Sequence, residues 1–120
     1  MKEPKVLVVD DAAFMRTLIG NSVKQAGYAQ VYFAEDGYQA VEKAGELQPE
    51  FITLDISMPG IDGVEVIAKI LAVSPSSKII MISAVTAQQA IKQAIKNGAV
   101  DFVAKPFTPD EIKEVFVKHS

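Results

Sequence analysis

Apolar residues along this chain fall into two alternating kinds of run. The first kind is short and unbroken: Lys5 to Asp10 reads Lys-Val-Leu-Val-Val-Asp, Phe51 to Asp55 reads Phe-Ile-Thr-Leu-Asp, and Ile79 to Ser83 reads Ile-Ile-Met-Ile-Ser. Lacking a polar residue at every second position, such runs predict strands buried on both faces, as in a parallel sheet. Gln30 to Ala34 and Asp101 to Ala104 are shorter candidates for two more strands. The second kind recurs at helix spacing. Met15, Leu18, Ile19, Ser22, Val23 and Ala26 mark a helix ending at Gly27, where a left-handed cap fits. Ala40, Val41, Ala44 and Leu47 mark a second, stopped before Pro49. Val64, Ile67, Ala68 and Leu71 share a face of a third, opened by Asp62 and Glu65 at capping-box spacing and ended at Ser74-Pro75. Thr86 with Gln89 opens a fourth, which carries Ala87, Ala90, Ile91, Ala94 and Ile95 as far as Asn97-Gly98. The clearest start signal is Thr108-Pro109-Asp110-Glu111, in which Thr caps, Pro suits the first helical position and Glu completes the box.

Five strand-helix units joined by short loops predict an α/β fold: a right-handed, doubly wound five-stranded parallel sheet with five helices. Residues 1–120 are expected to form one domain, since the length suits a single core and no linker or repeat interrupts the pattern. In such sheets ligands bind beyond the carboxyl ends of the strands, where the winding direction switches. The chemistry should therefore sit at strand ends.

Composition narrows that chemistry. With 49% hydrophobic and 22% charged residues the chain can build an ordinary core. A net charge of −3 argues against a nucleic-acid partner, which would call for clustered Lys and Arg. Cysteine is absent and His119 is the single histidine, so thiol chemistry is excluded and any metal must be held by oxygen. The longest aliphatic runs fall far short of the roughly 18 residues that span a bilayer, and no leader precedes them. A cytoplasmic protein without membrane insertion is expected.

Asp10 and Asp11 close the first strand, Asp55 the third and Ser83 the fourth, while Lys105 follows the fifth. The Asp pair alone would read as ordinary turn and cap chemistry. Three carboxylates converging on one edge repel one another unless a cation screens them, and Mg²⁺, which takes one or two carboxylates plus waters and a phosphate, suits the donor set. Ca²⁺ would want more protein oxygens. Glycine-rich nucleotide loops and a Ser-His-Asp set are missing. Lys105 precedes Pro106, and a cis bond there would aim the ammonium inward. A cation, a hydroxyl and a metal site at adjacent strand ends together suggest a phosphorylatable aspartate.

The motifs Val8-Val9-Asp10-Asp11, Leu54-Asp55-Ile56-Ser57-Met58-Pro59-Gly60-Ile61-Asp62-Gly63, Ile82-Ser83-Ala84 and Lys105-Pro106-Phe107 resemble the receiver domain of bacterial response regulators, in form the stand-alone chemotaxis type. The resemblance spans essentially the whole chain and implies a flavodoxin-like receiver fold. It implies that Asp55 accepts a phosphoryl group from a histidine kinase. Asp11, Asp55 and the Ser57 carbonyl would ligate Mg²⁺, with Asp10 helping through water, and Ser83 and Lys105 would bind phosphoryl oxygens. It also implies a switch in which the Ser83 hydroxyl moves toward the phosphoryl group and the aromatic residue at Phe102 turns inward. Phe102 stands where that family type usually has Tyr, so no ring hydroxyl is offered to a partner. A downstream protein target would be met through the fourth helix, the strand around Phe102 and the last helix, with Lys92, Lys96 and Lys113 supplying positive charge. A phosphatase is a further implied partner, and Ser57 and Val85 would frame the path of attacking water.

Three other readings are weaker. A small aspartyl phosphohydrolase of the haloacid dehalogenase sort needs a second Asp where Ser57 stands. A flavodoxin-like electron carrier would need a first loop that welcomes a flavin phosphate, and Asp10-Asp11 repels one. A receiver that signals without phosphate has no support in a chain where every expected site residue is present.

Overall fold

The structure, a computed structural model, describes residues 3–58, 62–84 and 86–120, apart from the side chain of Val64. Ten elements alternate: β1 (Lys5–Val9), α1 (Ala13–Gln25), β2 (Gln30–Ala34), α2 (Gly37–Leu47), β3 (Phe51–Asp55), α3 (Gly63–Val73), β4 (Lys78–Ala84), α4 (Gln88–Lys96), β5 (Asp101–Lys105) and α5 (Pro109–His119). The strands form one sheet in the order β2-β1-β3-β4-β5, all neighbours parallel. The winding direction reverses between β1 and β3, which places the crevice where Asp10 and Asp55 leave the sheet.

Alternate residues of each strand feed two cores. Leu7, Val9, Ile52, Leu54, Ile79 and Met81 pack with Ala40 and Ala44 of α2, Val66, Ile67 and Ile70 of α3, and Ile91 and Ala94 of α4. On the opposite face Val6, Val8, Phe51, Ile80 and Ile82 pack with Ile19 and Val23 of α1 and Ile112, Val115 and Phe116 of α5. Tyr28, Phe51 and Phe116 form an aromatic cluster there, with Tyr28 edge-on to both phenyl rings. Being covered on both sides is why β1, β3 and β4 carry unbroken apolar runs, whereas the edge strands β2 and β5 are more polar and shorter in apolar content.

Several expected boundaries shift. The fourth helix begins at Gln88, not Thr86: its cap position is Ala87 and no side chain caps it, so the Thr86–Gln89 signal is not used. Ala68 and Ile95, assigned to buried helix faces by spacing, are exposed, because α3 turns Val66, Ile67 and Ile70 inward and α4 turns Ile91 and Ala94. The capping box at Thr108 forms in full, and Gly27 (φ 104°) and Gly98 (φ 118°) take the left-handed conformations that close α1 and α4. Among the described residues no helix is long and apolar enough to cross a membrane.

Candidate functional site

At the carboxyl ends of the strands, Asp10 and Asp55 are buried and Asp11 is exposed, and carboxylate oxygens of the three lie within 4.8 Å of one another. Asp55 is the best-held member. Its Oδ1 accepts hydrogen bonds from the Ser57 amide (2.8 Å) and the Ser57 hydroxyl (2.6 Å), and its Oδ2 accepts one from Lys105 Nζ at 3.0 Å. Burial by itself raises the Asp55 pKa, but the Ser57 bonds and the Lys105 ammonium outweigh it and hold the carboxyl below its usual value. Asp55 is therefore an anion at neutral pH.

Asp10 is the opposite case. Burial, with a lesser push from the Asp55 charge, raises its pKa to about 6 against the pull of one backbone bond from Ala12 at 2.9 Å to Oδ1. Its other oxygen, Oδ2, is buried and meets no hydrogen-bond donor among the described residues. A buried carboxylate oxygen without a donor, beside two more carboxylates and no His or Cys, suits a hard oxygen-seeking cation such as Mg²⁺. The residues present fit that ion.

Each predicted residue can now be placed. Asp55 pairs with Ile82 across β3 and β4, and Ala84 pairs with Lys105 across β4 and β5, so the sheet register brings Lys105 to Asp55 across 50 residues of sequence. The Lys105-Pro106 peptide is cis. Ser83 is buried in β4, and among the described residues its hydroxyl makes only a long 3.4 Å contact to the Ala84 carbonyl. Phe102 on β5 is 38% exposed and its amide is tied to Asp101 Oδ1 at 2.8 Å, so the ring lies outward in this structure. Val85 and the Pro59-Gly60-Ile61 part of the acceptor motif lie outside the described residues.

Two contributors escaped the sequence reading. Ser57, expected to offer its carbonyl and to flank the water path, binds Asp55 through both its hydroxyl and its amide. Arg16 donates from Nη1 to the Asp10 carbonyl at 2.8 Å and approaches Glu35 at 3.4 Å, pinning the end of β1 to α1. A small polar residue two after a strand-end Asp is a turn signal that could have revealed the first. Nothing local marks the second.

A parallel sheet that gathers an anionic carboxylate, a lysine and acidic neighbours wanting a cation at its switch point defines a phosphorylation-activated signalling switch. The model of the response regulator receiver domain matches residues 6–117, and the chain belongs to that family. It is 49% identical over 114 residues to the chemotaxis protein CheY of Listeria monocytogenes, covering 95% of this chain and 96% of that one. Among solved structures it resembles Vibrio cholerae CheY4 (TM-score 0.89, 26% identity, 99% and 100% of the two chains). It also resembles the receiver domain of the Pseudomonas aeruginosa sensor histidine kinase PA1611 (TM-score 0.84, 27% identity, 98% of each), described with a magnesium ion coordinated in its active site cleft.

Proposed function

We propose that this domain takes a phosphoryl group on Asp55 from a histidine kinase, in the cytoplasm and in a chemotaxis pathway, and passes the signal on by protein contact. The observation that carries the reading is the state of Asp55: anionic, held by Ser57 on one oxygen and neutralised by Lys105 on the other. In the reaction an Asp55 oxygen attacks the phosphorus of the phosphohistidine, an O–P bond forms, the N–P bond breaks, and the imidazole leaves and regains a proton. Lys105 offsets charge on the acceptor and the transferred oxygens, and the Ser83 hydroxyl is available to bind one of them.

Asp11, Asp55 and the Ser57 carbonyl would hold Mg²⁺, with Asp10 assisting, and the magnesium described in the PA1611 receiver supports the choice of ion. When bound, the cation neutralises the converging negative charges of carboxylate and phosphate. Catalysis in this reading is confined to the domain's own phosphoryl uptake and loss. The name of the Listeria relative supports the chemotaxis assignment.

Output would run from Ser83 to Phe102 and out through α4, β5 and α5. Ile95, Val100, Phe102 and Val117 are exposed apolar residues on these elements and their junctions, and Lys92, Lys96 and Lys113 stand exposed among them. A protein target that covers apolar area and brings carboxylates would fit, and a phosphatase would act on the same phosphorylated state.

The test is intact-mass spectrometry after incubation with acetyl phosphate and Mg²⁺. The native chain should gain one phosphoryl group and Asp55→Asn none, and equal labelling of both would overturn the assignment. In the phosphorylated protein, amide NMR shifts should extend through residues 84–116; changes confined to the loop at Asp55 would remove the relay.

A further inference from the structure

A cavity of about 380 Å³ lies away from the Asp55 cluster, in the groove between α2 and α3. Val41 and Val66 supply apolar lining, and Tyr38, 87% exposed in the first turn of α2, stands among its walls. The charged groups lining it are Glu42, Asp62 and Glu65 against a single cation, Lys69, which is paired with Glu65 at 3.1 Å. Three carboxylates against one ammonium leave the lining at −2, while α4, next to α3 in the same helix layer, carries Lys92 and Lys96 and no carboxylate. The two ends of this layer therefore carry charge of opposite sign.

We infer that the α2–α3 groove is a second docking surface, built for a basic, amphipathic segment of a partner protein that inserts an Arg or Lys side chain between the two helices. The chemistry of each wall matches one part of such a side chain. The aliphatic stem packs on Val41 and Val66. The charged head meets the carboxylates of Glu42 and Glu65 and the face of an exposed tyrosine, and a cation over an aromatic ring gains attraction beyond simple charge pairing. An acidic segment would be repelled by the net negative lining, and a purely apolar one would desolvate its carboxylates without adding counter-charge. An exposed Tyr on a helix is also a low-entropy anchor of the kind that dominates interfaces. Because the groove shares no side chain with the Asp10, Asp11 and Asp55 cluster, the segment can dock on the unphosphorylated domain.

The probe is a synthetic helical peptide with Arg and Leu repeated at helix spacing, titrated into the ¹⁵N-labelled full chain without phosphodonor. The expected result is shifts concentrated at residues 37–42 and 62–69, weakened about tenfold by Tyr38→Ala and by Glu42→Lys. Asp55→Asn should bind the peptide as well as the native chain does, which separates this inference from the phosphorylation reading. Charge reversal elsewhere, Glu114→Lys on α5, should also leave binding intact. Shifts spread evenly over all acidic surfaces, equal binding of a peptide with Glu in place of Arg, or no loss in either groove variant would overturn the proposal. So would self-association of the native chain in sedimentation that Glu42→Lys abolishes, since the occupant would then be a second copy.

Discussion

Each end of the sheet holds a carboxylate out of full solvent, Asp10 buried and Asp101 half-buried, and the protein treats the two in opposite ways. At the amino-terminal edge, Asp101 Oδ2 is met by His119 Nε2 at 2.9 Å and Lys118 Nζ at 3.3 Å, while its Oδ1 accepts from the Phe102 amide. Burial works to raise its pKa, but these partners outweigh it and keep the carboxyl below its usual value. Neighbouring polar groups are matched as well: Ser74 and Ser77 share a 2.6 Å hydrogen bond, Ser77 donates to the Pro49 carbonyl, Lys78 to the His119 carbonyl, and Gln48 Nε2 to the Val73 carbonyl at 2.8 Å. At the carboxyl edge Asp10 is buried with one oxygen unmatched among the described residues and its pKa raised to about 6. One edge is finished as structure, whereas the other keeps a strained acidic cluster that, under the proposed function, a cation and a phosphoryl group would complete.

The widest gap between the edges should appear in phosphoryl uptake. Asp11→Ala is expected to lower Mg²⁺-dependent labelling by acetyl phosphate about 10- to 100-fold, and Asp101→Asn to leave it near the native rate, both read by intact mass. Comparable losses in the two variants would dissolve the distinction.

Stability should separate them with opposite signs. Asp10 has a raised folded pKa, so its ionisation costs the folded state free energy as pH climbs from the unfolded value near 3.8 through about 6. Metal-free Asp10→Asn is therefore expected to be more stable than the native chain by roughly 1–3 kcal/mol at pH 7, a gain that disappears below about pH 4. Urea unfolding in EDTA at the two pH values checks this, and a destabilised variant at pH 7 would contradict it. Mg²⁺ should narrow the difference by favouring the native carboxylate.

The smallest effect is expected at Asp101. Its folded pKa is depressed, so its contribution is present above the unfolded carboxyl value of about 3.9 and is lost as pH falls through the lower folded value. Asp101→Asn should cost about 1 kcal/mol at pH 7 and converge on the native chain in stronger acid, in the same urea experiment. A pH-independent difference would mean that the His119 and Lys118 contacts contribute nothing through charge.

How much of this was legible beforehand follows from the range over which each feature is encoded. The buried strands could be read from Val6 to Val9, Phe51 to Leu54 and Ile79 to Ile82 because burial on both faces removes the polar alternation locally. The start of α5 could be read because Thr108, Pro109 and Glu111 are neighbours in sequence. By the same logic Asp36 and Gln39 at the start of α2, joined at 2.8 Å, carried a readable cap that the apolar spacing overshadowed. The opening of α4 misled because Thr86 has the right chemistry one residue too early for the helix that forms. The Asp10, Asp11, Asp55 and Lys105 grouping was accessible only through topology, since parallel strands put their carboxyl ends on one edge. Asp101 with His119, Arg16 with the Asp10 carbonyl, and the α2–α3 groove depend on side-chain positions across distant elements, for which no local spacing exists.

The register that joins Asp55 to Lys105 has one more consequence. The 3.0 Å contact is measured out through two ladders, Asp55 with Ile82 and Ala84 with Lys105, so it holds only when three strands are correctly aligned. A slip of one residue in either ladder displaces a strand by about 3.3 Å and turns its side chains to the other face. A misaligned or half-folded chain then lacks the lysine beside Asp55. The Asp55–Lys105 pair thus reports correct strand alignment, and under the proposed role of Asp55 an error of folding would yield a missing signal instead of a false one.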